Sequence, residues 1–302
     1  MKGRIIEKLS AVACALLLAG GVMSSVVIAR GEEVSEEPAA PQATFVILDQ
    51  ADQTTAPTSS VVDNRTSVPM LVNGEERGAC RVIDGQLFMA PEAFCKAMGL
   101  SAAVSSASVM AAGVEITAEP GKAYIECNGR YLYVDGGVRE IGGQTFVPVE
   151  LLAKCLGVYA AWDRVAWIVN VRADVIEPLE SGDTYYLDTD VYWLSRVIYA
   201  EAGNQSLIGQ IAVGSVVMNR VADEHFEGQD SVYDVIFAKN QFEVVINGMI
   251  YMEPDSTAIL AAKLALDGAD VTGGSTYFAT YDFGEGYECL MWIGDHCFMR
   301  EA

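Results

Sequence analysis

Histidine is nearly missing from this chain of 302 residues: His225 and His296 are the only two. A zinc hydrolase site gathers imidazoles or thiolates around an activated water, and no His-Glu-x-x-His run is present. Cys289, His296 and Cys297 lack a fourth ligand at a usual spacing, so neither a metal centre nor any other cofactor is expected. Basic side chains are scarce too. There are 19 Lys and Arg against 41 Asp and Glu, a formal charge of −22. Phosphate backbones need cations to neutralise them, so nucleic acid is excluded as a partner. The same acidity offers no attraction to anionic lipids or wall polymers, so a polymer substrate has to be held by hydrogen bonds and stacking. Cysteine occurs seven times, at Cys14, Cys80, Cys95, Cys127, Cys155, Cys289 and Cys297, without the density of a small stapled domain. Cys289 and Cys297 either bridge across Trp292 or stay buried thiols.

A long uncharged apolar stretch runs from Leu9 to Ala29, preceded by Lys2, Arg4 and Lys8. Val27-Ile28-Ala29 offers the small or aliphatic residues of a leader cleavage site. Residues 1–29 are read as a signal peptide, or as an N-terminal anchor. If uncleaved, residues 9–29 are long enough to associate with a membrane. In either case the remainder is exported, to be secreted or held in a cell wall or spore envelope. Too little apolar sequence precedes Cys14 for a lipid anchor. Residues 30–66 are rich in Glu, Ala, Pro, Thr and Ser and read as a flexible linker, with Phe45-Val46-Ile47-Leu48 their apolar run.

From Val68 the pattern changes to short strands with Gly-centred turns, and an internal echo appears. Asp84-Gly85-Gln86-Leu87-Phe88-Met89-Ala90-Pro91 returns as Gly142-Gly143-Gln144-Thr145-Phe146-Val147-Pro148-Val149. Aligning Gly85 with Gly143 also aligns Phe88 with Phe146 and Gly99 with Gly157. Each copy reads as strand, short helix ending at Gly, then strands such as Val165–Val169, so residues 67–172 form a duplicated small α+β module. With its repeated Gly-x-x-Phe-aliphatic signature, this segment resembles the copper amine oxidase N-terminal-like domain. That resemblance implies a wall-targeting or spacer module. The segment has no histidine, so copper binding is not supported. Residues 173–188 are acidic, contain Pro178 and Gly182, and read as a second linker.

The third domain spans 189–302. In it, Leu194, Val197, Ile198 and Glu201 share one face of a 3.6-residue period, capped by Thr189 or Asp190. Three of these are aliphatic positions that point into a core, so Glu201 belongs at a core edge or cleft floor, unless Arg196 or Arg220 pairs with it. A carboxylate there loses hydration and its pKa rises, which suits a proton donor to a glycosidic oxygen. A second helix from Leu207 to about Val221 is apolar on nearly every side and reads as central. A short segment at Val235-Ile236-Phe237 and a helix from Ser256 to Leu266 follow.

Tyr199-Ala200-Glu201-Ala202-Gly203-Asn204-Gln205-Ser206, Gly209-Gln210-Ile211-Ala212-Val213 and Val217-Met218-Asn219-Arg220-Val221 resemble the spore cortex-lytic cell wall hydrolase family. Gln241-Phe242, Asn247-Gly248, Tyr277-Phe278 and Ile293-Gly294-Asp295-His296 follow in the family's order. The resemblance implies a lysozyme-like, mainly helical catalytic domain. It would cut peptidoglycan between N-acetylmuramic acid and N-acetylglucosamine as a lytic transglycosylase, with Glu201 as its one acid and base. Gln205, Gln241, Phe242, Tyr277 and His296 are the candidate substrate-binding residues; Phe242 and His296 also fit structural roles, and Asn219 and Arg220 read as closing their helix. Of the adjacent pair, Tyr277 is favoured over Phe278 because its hydroxyl wants a partner. The family often has a second glutamate where this chain has Gln205, which leaves Glu243 as the other carboxylate for a hydrolytic route. Met299 stands where an aromatic is common. These departures keep open a non-catalytic wall-binding or structural protein, and N-acetylmuramoyl-L-alanine amidase is a further alternative. Oligomeric state cannot be read from the sequence.

Overall fold

The computed structural model describes residues 45–48, 66–105 and 107–302. The leader at 1–29 with its Cys14, and nearly all of the linker at 30–66, lie outside the described residues. Among the described residues, no helix is long and apolar enough to cross a membrane.

Alternating apolar and polar residues build the first half. The elements β1 (Phe45–Leu48), β2 (Ser67–Val72), β3 (Glu75–Ile83) and β4 (Gln86–Met89) lead into helix α1 (Pro91–Ala97). An antiparallel five-stranded sheet follows in chain order: β5 (Ala103–Val104), β6 (Ser108–Ala111), β7 (Val114–Thr117), β8 (Tyr124–Cys127) and β9 (Arg130–Tyr133). Then come β10 (Arg139–Ile141), β11 (Gln144–Pro148), helix α2 (Val149–Leu156), β12 (Tyr159–Asp163) and β13 (Ile168–Arg172). They complete an eight-stranded sheet of order β1-β12-β13-β2-β3-β4-β11-β10. In β2, Val68, Met70 and Val72 are the buried set, one face of a period-two strand. The echoed segments take the same form, a strand running into a short helix, and lie side by side, with Met89 opposite Val147 and Phe88 opposite Pro148. Cys80, Cys95, Cys127 and Cys155 are free and buried, and burial pushes the Cys80 thiol up to about 12. All four are core side chains.

The strand expected at Val165–Val169 is split. Val165 to Trp167 turn the chain between β12 and β13, because the Asp163 carboxylate accepts hydrogen bonds from the backbone N–H of Val165 and Ala166 at 2.9 and 2.7 Å. A side chain that satisfies two successive donors holds a turn rather than a ladder.

The second half is helical and then β. It contains α3 (Gly182–Tyr185), α4 (Asp188–Ala202), α5 (Leu207–Ala222), α6 (Val232–Phe237), α7 (Glu243–Ile246), a 3-10 turn at Met249–Tyr251 and α8 (Ser256–Leu266). The strands β14 (Tyr277–Ala279), β15 (Tyr287–Ile293) and β16 (His296–Glu301) form a sheet of order β14-β16-β15. The whole is a mixed α+β fold. Helix α5 is central, as its all-round apolar character requires: Ile211, Val213 and Val217 pack with α4 and α8, while Ala212 and Val216 pack on Phe298. Helix α4 begins before the expected caps. Leu187 is its N-cap and makes no side-chain bond, while Asp188 and Asp190 sit in the first turn, where carboxylates suit the positive helix end.

Residues 173–188 are packed along both halves. Leu179 N–H donates to the Cys155 carbonyl at 3.1 Å, and Gly182 N–H donates to the Asn128 carbonyl at 2.9 Å. A Cβ on Gly182 would stand 2.2 Å from the Gly129 oxygen, so only glycine fits this crossing. Just beyond it, Arg130 of β9 forms a buried ion pair with Asp267, and the Tyr186 hydroxyl donates to the same carboxylate. Lys154 donates to the Asp267 carbonyl at 3.0 Å.

Candidate active site

Glu201 lies in the last turn of α4. Leu194, Val197 and Ile198 on its face are fully buried, and Glu201 is half-buried at the edge of that core. Neither arginine that could have neutralised it does so. Arg196 reaches away to Glu253 at 2.7 Å, and Arg220 is engaged elsewhere. Among the described residues nothing hydrogen-bonds to the Glu201 carboxyl, yet its oxygens are not sealed from solvent. Burial, and secondly the Glu243 carboxylate at the start of α7, push its pKa up to about 7. Desolvation penalises the charged form, and a like charge nearby adds to the penalty. A proton-holding acid with solvent access at neutral pH is the result.

Gln205 sits between α4 and α5. Its Nε2 donates to Asp295 Oδ2 at 2.9 Å, and its Oε1 accepts from Asp295 N–H at 3.4 Å. The hairpin tip lies so close that a Cβ on Gly294 would come within 2.1 Å of Gln205 Oε1, and Gly294 also has a left-handed φ of 57°. Gln205 thus joins the Glu201 helix to the β15–β16 hairpin. That hairpin is cross-linked: Cys289 and Cys297 form a disulfide, which settles their state and takes up the two thiolates a zinc site would have needed.

Gln241 and Phe242 are placed by Arg220. Its guanidinium is buried in α5, donates from Nε to the Thr276 carbonyl at 2.6 Å and from Nη1 to Gln241 Oε1 at 2.8 Å, and lies over the Phe242 ring at 5.7 Å. Gln241 is exposed and Phe242 buried. Arg220 therefore does more than close a helix. The signal was available, since a cation within an almost wholly apolar helix needs buried partners.

The adjacent pair on β14 diverges, although Tyr277 also lies under the Arg220 guanidinium at 5.1 Å. Tyr277 joins an outer group of rings with Phe226, Phe283 and Tyr287, and its hydroxyl donates to Glu301 Oε1 at 2.9 Å. Phe278 is the one that meets Phe242, at 6.3 Å, and His296, at 5.4 Å. Successive strand residues face opposite ways, and the tyrosine hydroxyl found its partner on the far side. His296 is buried edge-on to Phe278 and Phe298, with no bond to Glu201 among the described residues and its Nδ1 unpartnered. Burial lowers its pKa, against the opposing pull of Asp295, so the ring is neutral near pH 7. Glu243 thus stands beside Glu201, and its chain neighbour Phe242 meets Phe278, which in turn meets His296.

The segment that carries this acid, with its amide and ring side chains, is similar to the cell wall hydrolase family. Residues 204–299 match that family's model, beginning three residues after Glu201, and residues 71–171 match the copper amine oxidase N-terminal domain. The spore cortex-lytic enzyme of Halalkalibacterium halodurans is 40% identical over 107 residues, which cover 35% of this chain and 32% of that protein. The Bacillus cereus spore cortex-lytic enzyme is 34% identical over 97 residues, covering 32% of this chain and 37% of its own length. The chain thus spans about a third of the curated relatives it matches. The solved catalytic domain of the Bacillus cereus SleB protein is 32% identical, covers 38% of this chain and 92% of that domain, and superposes with a TM-score of 0.35.

Proposed function

We propose that this protein cuts peptidoglycan between N-acetylmuramic acid and N-acetylglucosamine as a lytic transglycosylase, with Glu201 as its acid and base. The observation that carries this reading is the half-buried, unpaired Glu201, held near neutrality by burial and Glu243. In the first step the Glu201 carboxyl gives its proton to the glycosidic oxygen as the bond from the muramyl anomeric carbon breaks. The muramyl 6-hydroxyl then attacks that carbon, and the Glu201 carboxylate takes its proton, leaving a 1,6-anhydro ring and a restored acid. No water is consumed. The exposed Gln241 supplies an amide to N-acetyl groups, Gln205 lends one where substrate displaces Asp295, and Phe278, backed by the buried Phe242, supplies apolar surface.

The names of the curated relatives favour spore cortex as the peptidoglycan attacked, and hence an exported, envelope location. We read α4, α5 and α8 as a lysozyme-like core, and the adjacent β4–α1 and β11–α2 units as halves of a duplicated module. Residues 189–302 would be the catalytic domain and 67–172 a wall-binding or spacer module. One observation favours a second reading: Glu243 is near enough to raise the Glu201 pKa, so it could activate a water for hydrolysis.

Mass spectrometry of the soluble products decides between them. Muropeptides ending in 1,6-anhydromuramic acid are expected, and Glu201→Gln should abolish them while preserving the fold. Reducing muramic acid ends, lost in Glu243→Gln, would establish hydrolysis; free stem peptides would establish an amidase; full activity in Glu201→Gln would end the reading.

A further inference from the structure

A cavity of about 680 Å³ opens between the two halves of the protein, clear of Glu201. Leu132 and Leu151 line it from the first half; Ile208, Val271 and Ile293 line it from the second. Concave apolar sites of this size at domain boundaries are where ligands collect. Its polar groups are unevenly satisfied. Lys154, its one cation, is drawn to the Asp267 carbonyl and carboxylate. Asp270 is taken up by the backbone N–H of Thr272 and Gly274 at 2.8 and 2.7 Å. Asp135, hydrogen-bonded with Tyr133, and Glu150 lie on the rim, with no ion pair among the described residues. The Glu150 pKa is raised, by burial first and then by Asp135, as expected of an acid at a cavity mouth with a second acid and no counter-charge beside it.

The cavity is also a neighbour of the candidate active site. Ile208 is in the first turn of α5 just past Gln205, and Ile293 is paired with His296 across the hairpin tip that Gln205 holds. We propose that this cavity binds the stem peptide attached to the muramic acid of the glycan, seating its apolar side chains on the floor and its side-chain ammonium between Asp135 and Glu150. The proposal rests on peptidoglycan being the substrate. A peptide of four residues reaches about 13 Å when extended, and the cavity wall at Ile208 is three residues from Gln205. Among the described residues no group of three or more acidic, histidine or cysteine side chains is arranged to hold a metal ion, which favours an organic cation. Both walls are needed, so the first half of the chain would help select substrate.

Calorimetric titration of the intact protein tests this, using the tetrapeptide L-alanyl-γ-D-glutamyl-diaminopimelyl-D-alanine and the same peptide with its side-chain amine acetylated. The free amine should bind, and acetylation should weaken binding by about tenfold or more. The double variant Asp135→Asn/Glu150→Gln, both exposed positions, should no longer tell the two peptides apart. No saturable binding to the wild type, or equal affinity for both peptides, overturns the proposal. Cleavage of glycan stripped of peptide is assayed in parallel. Failure of the wild type to cut intact, peptide-bearing peptidoglycan as well would sink the glycan-cutting reading, whatever the titration returns, whereas cutting of intact but not of stripped glycan supports the peptide site.

Discussion

A carboxyl group that keeps its proton at neutral pH must be denied hydration and counter-charge together, and Glu201 is denied both. The pH dependence of activity follows. Below about pH 7 Glu201 is protonated and can act as donor, so the initial rate should hold up to that point and then fall about tenfold per pH unit. Glu243→Gln removes the secondary cause of the raised pKa, so the alkaline limb should move to lower pH in a rate profile. A rate collapse at every pH would instead make Glu243 a reacting group. Stability carries the opposite mark. The unfolded carboxyl ionises near 4.5 and the folded one near 7, so between these values the native state holds the proton more tightly and stability falls as pH rises. Above pH 7 the penalty is complete. Glu201→Gln should therefore be more stable than wild type at pH 8, by roughly 1 to 3 kcal/mol, and no different at pH 4, as read by urea denaturation. The helical period placed Glu201 at its core edge from sequence alone. It could not say that Arg196 would turn to Glu253, nor that Glu243 would come alongside, because both partners arrive from distant segments.

At the scale of elements, Arg220 and the disulfide fix the two walls of the site. Arg220→Met would leave the buried Thr276 carbonyl without its donor and release Gln241. A loss of about 1 to 3 kcal/mol is expected, with KM rising more than kcat falls if Gln241 holds substrate. Replacing Cys289 and Cys297 by serine opens a short loop and should cost about 2 kcal/mol, seen as a lower unfolding midpoint without dithiothreitol and no difference with it. Helices α5 and α8 were legible almost to the residue, since Ser206 and Asp255 accept from backbone N–H groups at their starts. The turn at Val165 was not, because its β-branched and aromatic residues look like strand and only the Asp163 side chain decides otherwise. Nor was the choice between Tyr277 and Phe278 legible, since alternation says that they diverge without saying which faces the site.

For the whole molecule, Asp267 is the point at which both halves meet. Arg130 pairs with it, Tyr186 donates to it, and Lys154 reaches its carbonyl. Arg130→Met would leave a buried carboxylate short of its strongest partner and should cost about 3 to 5 kcal/mol. Differential scanning calorimetry should then resolve two unfolding transitions where the wild type has one, as the halves uncouple. A single unshifted transition would show the contact to be incidental. Periodicity, caps and the order of short motifs are local properties, so they alone determined helices α5 and α8, the face that carries Glu201 and the likeness of the last domain to the cell wall hydrolase family. The pairing of Arg130 with Asp267, the nearness of Glu243 to Glu201 and the cavity between the halves were decided by tertiary structure. Each depends on which buried charge finds which partner across more than forty residues of chain, and no local pattern encodes that distance.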